Sequence, residues 1–288
     1  REIAAIALRL TFVLCAVFTL VTALFPGAVL RFFTDDGEII RTGELYMRLV
    51  AFTFLPSGLV STATYLLRSA GRVGVPLIGS SIAFFLNFFF NWVFIFGKLG
   101  APRLELVGAA VGTVIARGFE FCFVFGYFIL KDKTFAFRLR HLLLPGKRLQ
   151  RQYFRYSVPV LVSDTILGLS LMLTTVILGH LGSEISAASA MVGSAVQVLT
   201  VLNMGMAGAS AVVIGNTIGE GDLARAKREG NSYVLLALAI GLIAIPVLLV
   251  LEGPYMALYN ITDTTRQIAH GMILCNCLMM PMQTIAYV

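Results

Sequence analysis

Long apolar runs, each close to the length of a bilayer crossing, alternate with short polar breaks along the whole chain. Crossing about 30 Å of hydrocarbon takes about 20 helical residues. Runs of that size occupy residues 5–30, 45–67, 75–97, 106–130, 157–179, 187–218, 232–251 and 267–288. The pattern predicts an all-α integral membrane protein with eight transmembrane helices. Breaks between runs carry turn chemistry, as in Arg68-Ser-Ala-Gly-Arg-Val-Gly74 and Gly219-Glu-Gly-Asp222. The sixth run exceeds one crossing, which predicts tilt or extension beyond the bilayer. Pro56, Pro246 and Pro281 fall inside runs, where a missing N–H permits a kink. Gly108-Ala-Ala-Val-Gly112 and Gly205-Met-Ala-Gly208 allow close helix approach.

The pattern also repeats itself. Arg1-Glu2 opens a run that passes Phe25-Pro26-Gly27 and ends near Thr34-Asp35-Asp36, and Arg228-Glu229 opens another that passes Glu252-Gly253-Pro254 and ends at Thr262-Asp263. The offset is 227 at both ends of the run, and Pro56 and Pro281 stand in similar contexts 225 apart. Self-similarity at a long fixed period marks a duplicated architecture. Duplicated bundles with a site at their interface are a recurring plan for secondary transporters. Read at face value, the repeat implies a parent of roughly 430–460 residues. No secretory leader is expected, because residue 1 already stands inside a repeat unit.

Composition agrees with the runs. Hydrophobic residues make up 58% and charged residues 13%, with mean hydropathy +0.88, against about 25% charged in a soluble domain. A net charge of +7 would suit nucleic acid, but its placement argues for topology instead. Residues 131–155 hold Lys131, Lys133, Arg138, Arg140, Lys147, Arg148, Arg151 and Arg155 against one acid, Asp132. The positive-inside rule puts this segment in the cytoplasm as a basic linker. Alternation then places Arg1, Arg9, Arg68, Arg72, Arg225, Lys227 and Arg228 inside, and Asp35, Asp36, Glu38, Glu44, Glu105, Glu184, Glu252 and Asp263 outside. Both ends of the chain are expected in the cytoplasm. Cys15, Cys122, Cys275 and Cys277 all sit in apolar runs as packing residues, and the last two point to opposite helix faces, which no metal clip does.

Ionisable groups at bilayer depth cost about 2.5–3.5 kcal/mol on insertion scales and usually serve function. Arg117, Glu120 and Asp164 lie well inside the runs. Arg117 and Glu120, three apart on one helix, can neutralise each other as a structural ion pair. Asp164 follows Pro159 with no base within one turn on the apolar side. Such an acid suits a site that exchanges a proton or sodium ion; a hydrogen bond to a neighbouring helix, or exposure at a vestibule, are the plainer readings. Asn87 and Asn91 share one face of an aromatic helix, as interhelical glue or as a cation or cavity site. Gln197, Asn203 and Asn276 read rather as glue, with Gln197 and Asn203 also candidates for a cavity wall.

Read in order, these segments resemble the multidrug and toxic compound extrusion (MATE) transporters. The residues that carry the resemblance are Leu55-Pro56, Leu67-Arg68-Ser-Ala-Gly71, Asn87-x3-Asn91-Trp-Val-Phe-Ile-Phe-Gly97, Val107-Gly-Ala-Ala-Val-Gly-Thr-Val-Ile-Ala116 and Val213-Ile-Gly-Asn-Thr-Ile-Gly-Glu-Gly-Asp222. The resemblance implies a two-lobe, pseudo-two-fold, twelve-helix fold of which this chain is helices three to ten. Residues 1–130 are then the last four helices of the N-lobe, and 156–288 the first four of the C-lobe. It further implies an ion-coupling set in Asn87, Asn91, Thr113 and Asp164. Asn91 departs from the family's frequent Asp, which weakens a proton mechanism in the N-lobe.

The expected function is antiport: export of amphipathic or cationic compounds in exchange for Na+ or H+, by alternating access, in the plasma membrane. Phe85, Phe89, Met204 and Met206 are candidates for adaptable apolar contacts to cargo. No cofactor is expected beyond the coupling ion, and no metal beyond Na+. The expected surroundings are lipid and small substrates, not nucleic acid, for a monomer. A flippase for lipid-linked saccharide is the rival within the superfamily; it calls for several cavity arginines to hold pyrophosphate, and Arg117 alone is a candidate. An intramembrane enzyme is remoter still. His141, His180 and His270 lie on separate segments at or beyond span ends, and the sequence holds no His-Glu-x-x-His pair, Gly-x-Gly-Asp acid motif or Gly-x4-Gly-Lys phosphate loop.

Overall fold

In the computed structural model the described residues are 2–31, 37–132, 134, 137–138, 141, 147–259 and 261–287. Arg1, Asp35, Asp36, Lys133, Arg140, Pro145 and Gly146, which figure in the expected repeat and topology, lie outside them. The described residues hold helices and turns and no strand. In chain order the helices are α1 (Glu2–Leu24), α2 (Pro26–Arg31), α3 (Gly37–Ser69), α4 (Gly74–Phe96), α5 (Glu105–Glu120), a π-helical segment (Phe121–Phe125), α6 (Gly126–Leu130), α7 (Lys147–His180), α8 (Ser183–Gly219), α9 (Leu223–Met256) and α10 (Asp263–Tyr287). Among the described residues, eight helical stretches are long and apolar enough to cross a membrane. This is a multi-pass membrane protein.

The helices outrun the apolar runs that predict them. α8 has 37 residues, about 55 Å at 1.5 Å per residue. α3, α7 and α9 also reach 33 or 34 residues, so overlength is not confined to the sixth run. Polar ends continue these helices, because helix propensity does not stop where the hydrocarbon does. Helix α7 starts at Lys147, so residues 147–155 of the basic segment are helical. The two predicted breaks are sharp turns at glycines in the left-handed region, Gly71 at φ +73° and Gly221 at φ +88°. After the second, the Asp222 carboxylate accepts from the Arg225 backbone N–H at 2.9 Å and caps α9.

The chain divides into two compact units, Arg1–Ser157 and Val158–Val288. In the first, α1 lies on α3, and α5 lies on both α3 and α4. Its core is built from Ala4, Ala5, Leu8, Val60, Ala63, Leu67, Val124 and Phe128. Thr11 and Thr62 share a hydroxyl hydrogen bond of 2.8 Å across α1 and α3. In the second unit, α8, α9 and α10 pack pairwise around Ala188, Met191, Val192, Ala244, Leu248, Ile273 and Met280. The Tyr255 hydroxyl donates to the Met191 carbonyl at 3.0 Å. Outside these seams the helices present bare apolar side chains; Phe84, Phe85 and Phe88 are 66%, 68% and 71% exposed. Water would not tolerate such a surface, and lipid does.

The α1–α3 and α9–α10 pairs close on glycine in opposite ways. On α3, Gly58 faces Cys15 and Thr11 of α1, and an added Cβ would collide with the Cys15 sulfur. On α9, Gly241 faces α10, and an added Cβ would lie 2.6 Å from Thr284 Oγ1 and 3.0 Å from the Pro281 Cα. The small residue sits on the second helix of the first pair and on the first helix of the second pair.

Candidate functional site

The shallow seam between α4 and α5 sets the geometry of the first polar cluster. Gly108 and Gly112 let the helices approach until Gly108 stands against the backbone of Phe94. That approach brings the Asn87 face of α4 onto the Thr113 face of α5. Asn87 Nδ2 donates to Thr113 Oγ1 at 3.3 Å, and Asn91 Nδ2 donates to Asn87 Oδ1 at 3.2 Å. Thr113 Oγ1 donates back to the Ala109 carbonyl at 2.8 Å. The chain of donors leaves Asn91 Oδ1 buried over Gly112 with no donor among the described residues. An orphaned buried amide oxygen is costly. Beside a hydroxyl and a second amide oxygen it is also a hard-oxygen ligand of the kind a small cation takes.

One turn along α5 stands the ion pair. Arg117 Nη1 lies 2.6 Å from Glu120 Oε2, with the arginine side chain 51% exposed and the glutamate 8% exposed. The pair closes within α5; among the described residues neither side chain bonds to another helix. Together with Ser80, Asn87 and Thr113 it walls a cleft of about 330 Å³. Immediately after Glu120 the backbone turns π-helical over Phe121–Phe125. Val124 there is fully buried against α4, where Gly79 leaves the space. Single π-turns inside helices occur frequently at functional sites.

Asp164 belongs to the second unit. It is exposed on α7, and among the described residues it has no hydrogen-bond or ion-pair partner. Gln197 of α8 and Asn276 of α10 line a cleft of about 510 Å³, with Thr200 and Ser189. Asn276 Nδ2 donates to the Met272 carbonyl of its own helix at 2.9 Å, so its amide bridges no helices. Asn203 is buried, and its Oδ1 has no partner among the described residues. Met204 and Phe89 are exposed, as is Phe85, whereas Met206 is buried. The structure therefore joins Asn87, Asn91 and Thr113 into one hydrogen-bonded cluster of the first unit, with the Arg117–Glu120 pair on the same cleft, while Asp164, Gln197, Asn203 and Met204 belong to the second unit. Among the described residues no three His, Cys, Asp or Glu side chains gather as a metal site.

Sequence reasoning missed two polar features. Ser57, Ser61, Thr64 and Arg68 form a stripe on α3, readable from their spacing but hidden because Ser and Thr hardly interrupt a hydropathy run. Glu252 and His270 meet across the α9–α10 turn, His270 Nδ1 to Glu252 Oε1 at 2.6 Å, with the carboxylate 11% exposed. No local pattern joins residues 18 positions apart. Replacing His270 by alanine leaves a buried carboxylate oxygen without its partner, at a cost of about 1 kcal/mol or more. The apparent melting temperature of the detergent-solubilised protein should drop by a few degrees; an unchanged value would show the bond to be idle.

The family model described as MatE matches residues 1–93 and 159–288. This chain belongs to the MatE family. The matched residues include Asn87, Asn91 and Asp164, while Thr113, Arg117 and Glu120 fall in the unmatched interval. Similar proteins include the probable multidrug resistance protein NorM of Thermotoga maritima, 28% identical over 177 residues, covering 60% of this chain and 38% of that protein. The probable multidrug resistance protein YoeA of Bacillus subtilis is 22% identical over 276 residues, or 95% of this chain and 60% of the relative. Among solved structures, one described as the outward-facing conformation of a multidrug resistance MATE family transporter of the MOP superfamily matches with TM-score 0.82 at 16% identity. It covers 99% of this chain and 65% of that one. A MOP superfamily transporter from Pyrococcus furiosus, whose description reports reverse polarity of its binding pocket, matches with TM-score 0.79 at 18% identity, covering 99% and 62%. The chain thus spans less than two thirds of the length of these relatives. The family is one of membrane transporters and not of enzymes.

Proposed function

We propose that the protein exports small amphipathic or cationic compounds across the plasma membrane in exchange for Na+ or H+, by alternating access. The observation that carries this reading is Asp164, a carboxylate with no partner among the described residues on a helix that is otherwise apolar for several turns. A charge placed there is costly unless a cation visits it. Names of similar proteins, such as the multidrug export protein MepA of Staphylococcus haemolyticus, support the export direction. The basic segment 131–155 then connects the two lobes in the cytoplasm, with both ends of this chain on the same side.

Coupling requires the ion to bind two lobe arrangements with different affinity. Moving a population from 1:99 to 99:1 takes about 5.5 kcal/mol of differential binding, more than a single exposed carboxylate supplies. The Asn87, Asn91 and Thr113 cluster, with its orphaned amide oxygen, is the second contributor in this reading. The test is uptake of a fluorescent organic cation by proteoliposomes holding the complete protein, under an imposed sodium gradient and then an imposed pH gradient. Asp164→Asn should reduce gradient-driven flux at least about tenfold, or about 1.4 kcal/mol. Undiminished flux in the variant removes Asp164 from coupling. No cation flux under either gradient replaces drug export with the flippase reading.

A further inference from the structure

We propose that the pocket between α3, α4 and α5 in the first unit binds a phosphate-type oxyanion. Ser57, Ser61, Thr64 and Arg68 follow one another at intervals of four, three and four residues, which places them on one face of α3. Serine and threonine hydroxyls in membrane helices commonly donate to a carbonyl of their own helix. Thr53 and Ser69, on the same helix, do so at 2.7 and 2.8 Å. Ser57, Ser61 and Thr64 do not, and among the described residues their hydroxyls have no partner. Three hydroxyls in a row on one face, half-buried or exposed, are thus free to donate to an occupant that accepts hydrogen bonds.

Arginine completes the pocket from two helices. Arg68 in the last turn of α3 and Arg117 of α5 both line it, as does Ser80 of α4, around a volume of about 330 Å³. Arg68 Nε is buried without a hydrogen-bond partner among the described residues. The Arg117 guanidinium spends one N–H group on Glu120 and remains half exposed. The charges that line the pocket are two arginines and one glutamate, a net single positive charge. Guanidinium groups with flanking hydroxyls match the oxygens of a phosphate, to which arginine binds by paired N–H donors. An organic cation would meet like charge here. This pocket is therefore separate in chemistry from the cargo site of the proposed export function, and it stands whether or not that function holds. It shares the Arg117–Glu120 pair with the cleft that holds Asn87 and Thr113, so an anion that engages Arg117 competes with Glu120 for the same N–H groups.

The phosphate can belong to a lipid headgroup or to a free solute, and two arms of one experiment separate them. In delipidated detergent solution, thermal unfolding of the complete protein is followed against inorganic phosphate and glycerol 3-phosphate, with chloride at equal ionic strength as the blank. In nanodiscs, it is followed in phosphatidylcholine with and without phosphatidylglycerol. A saturable stabilisation by the soluble phosphates assigns a free solute; stabilisation confined to phosphatidylglycerol assigns a headgroup. Either effect should weaken at least about tenfold in apparent affinity, or about 1.4 kcal/mol, in Arg68→Gln. The double variant Ser61→Ala/Thr64→Val should weaken it too, and serves if Arg68→Gln does not fold. No stabilisation in either arm, or stabilisation untouched by these variants, overturns the proposal.

Discussion

Replacing Arg117 by methionine is expected to destabilise the first unit by about 2.5–3.5 kcal/mol, the insertion cost of an unpaired acid at membrane depth. The size comes from Glu120, whose side chain is 8% exposed, and not from the arginine, which is 51% exposed and contributes little by itself. The asymmetry makes the prediction testable. Glu120→Gln leaves only a half-exposed guanidinium and should cost less than about 1 kcal/mol. The double variant Arg117→Met/Glu120→Leu removes both charges and should recover most of the loss, because an apolar replacement of a whole pair is often neutral. Chemical or thermal unfolding of the four proteins in detergent closes the cycle. Equal losses from the two single variants would mean that the glutamate does not depend on its partner.

Gly108→Ala should cost about 1–3 kcal/mol, or prevent recovery of a monodisperse protein. The added Cβ would stand 2.6 Å from the carbonyl carbon and oxygen of Phe94 and 2.9 Å from the Ile95 nitrogen. These are backbone atoms, which cannot swing away as a side chain can. The Phe94 carbonyl is further held by the Leu104 N–H at 2.9 Å. Intrinsic helix propensity favours alanine over glycine by about 1 kcal/mol, so the measured loss is the clash less that gain. Gly118→Ala, ten residues along on the same helix, meets nothing within 4 Å and should lose no stability. If the two variants unfold together, close approach at Gly108 is not what holds α4 against α5.

The eight crossings were legible because twenty apolar residues are a signal that tertiary context rarely reverses. Helix ends were not. Residues 147–155 and 223–231 are polar yet helical, so the edge of the hydrocarbon and the end of the helix are different places. Phe121-Cys-Phe-Val-Phe125 reads as ordinary apolar helix, since nothing in the sequence distinguishes a π-turn from its α neighbours. The pairing of Asn87 with Asn91 followed from their spacing, whereas Thr113 entered only through family resemblance, because 26 residues separate it from Asn87. Asp164 was found by its depth in an apolar run; its exposure and lack of partner depend on tertiary structure.

Gly58 and Gly241 decide which helices can be neighbours at the two seams. Gly58 makes room on α3 for α1, and Gly241 makes room on α9 for α10. Each seam has one glycine at its close approach, on α3 in the α1–α3 pair and on α9 in the α9–α10 pair. Helix α1 beside a helix shaped like α10 would set Cys15 and Thr284 at a close approach with no glycine to receive either, while α9 beside α3 would set Gly241 against Gly58 and leave a void. At these seams the helices of one pair are therefore not interchangeable with those of the other.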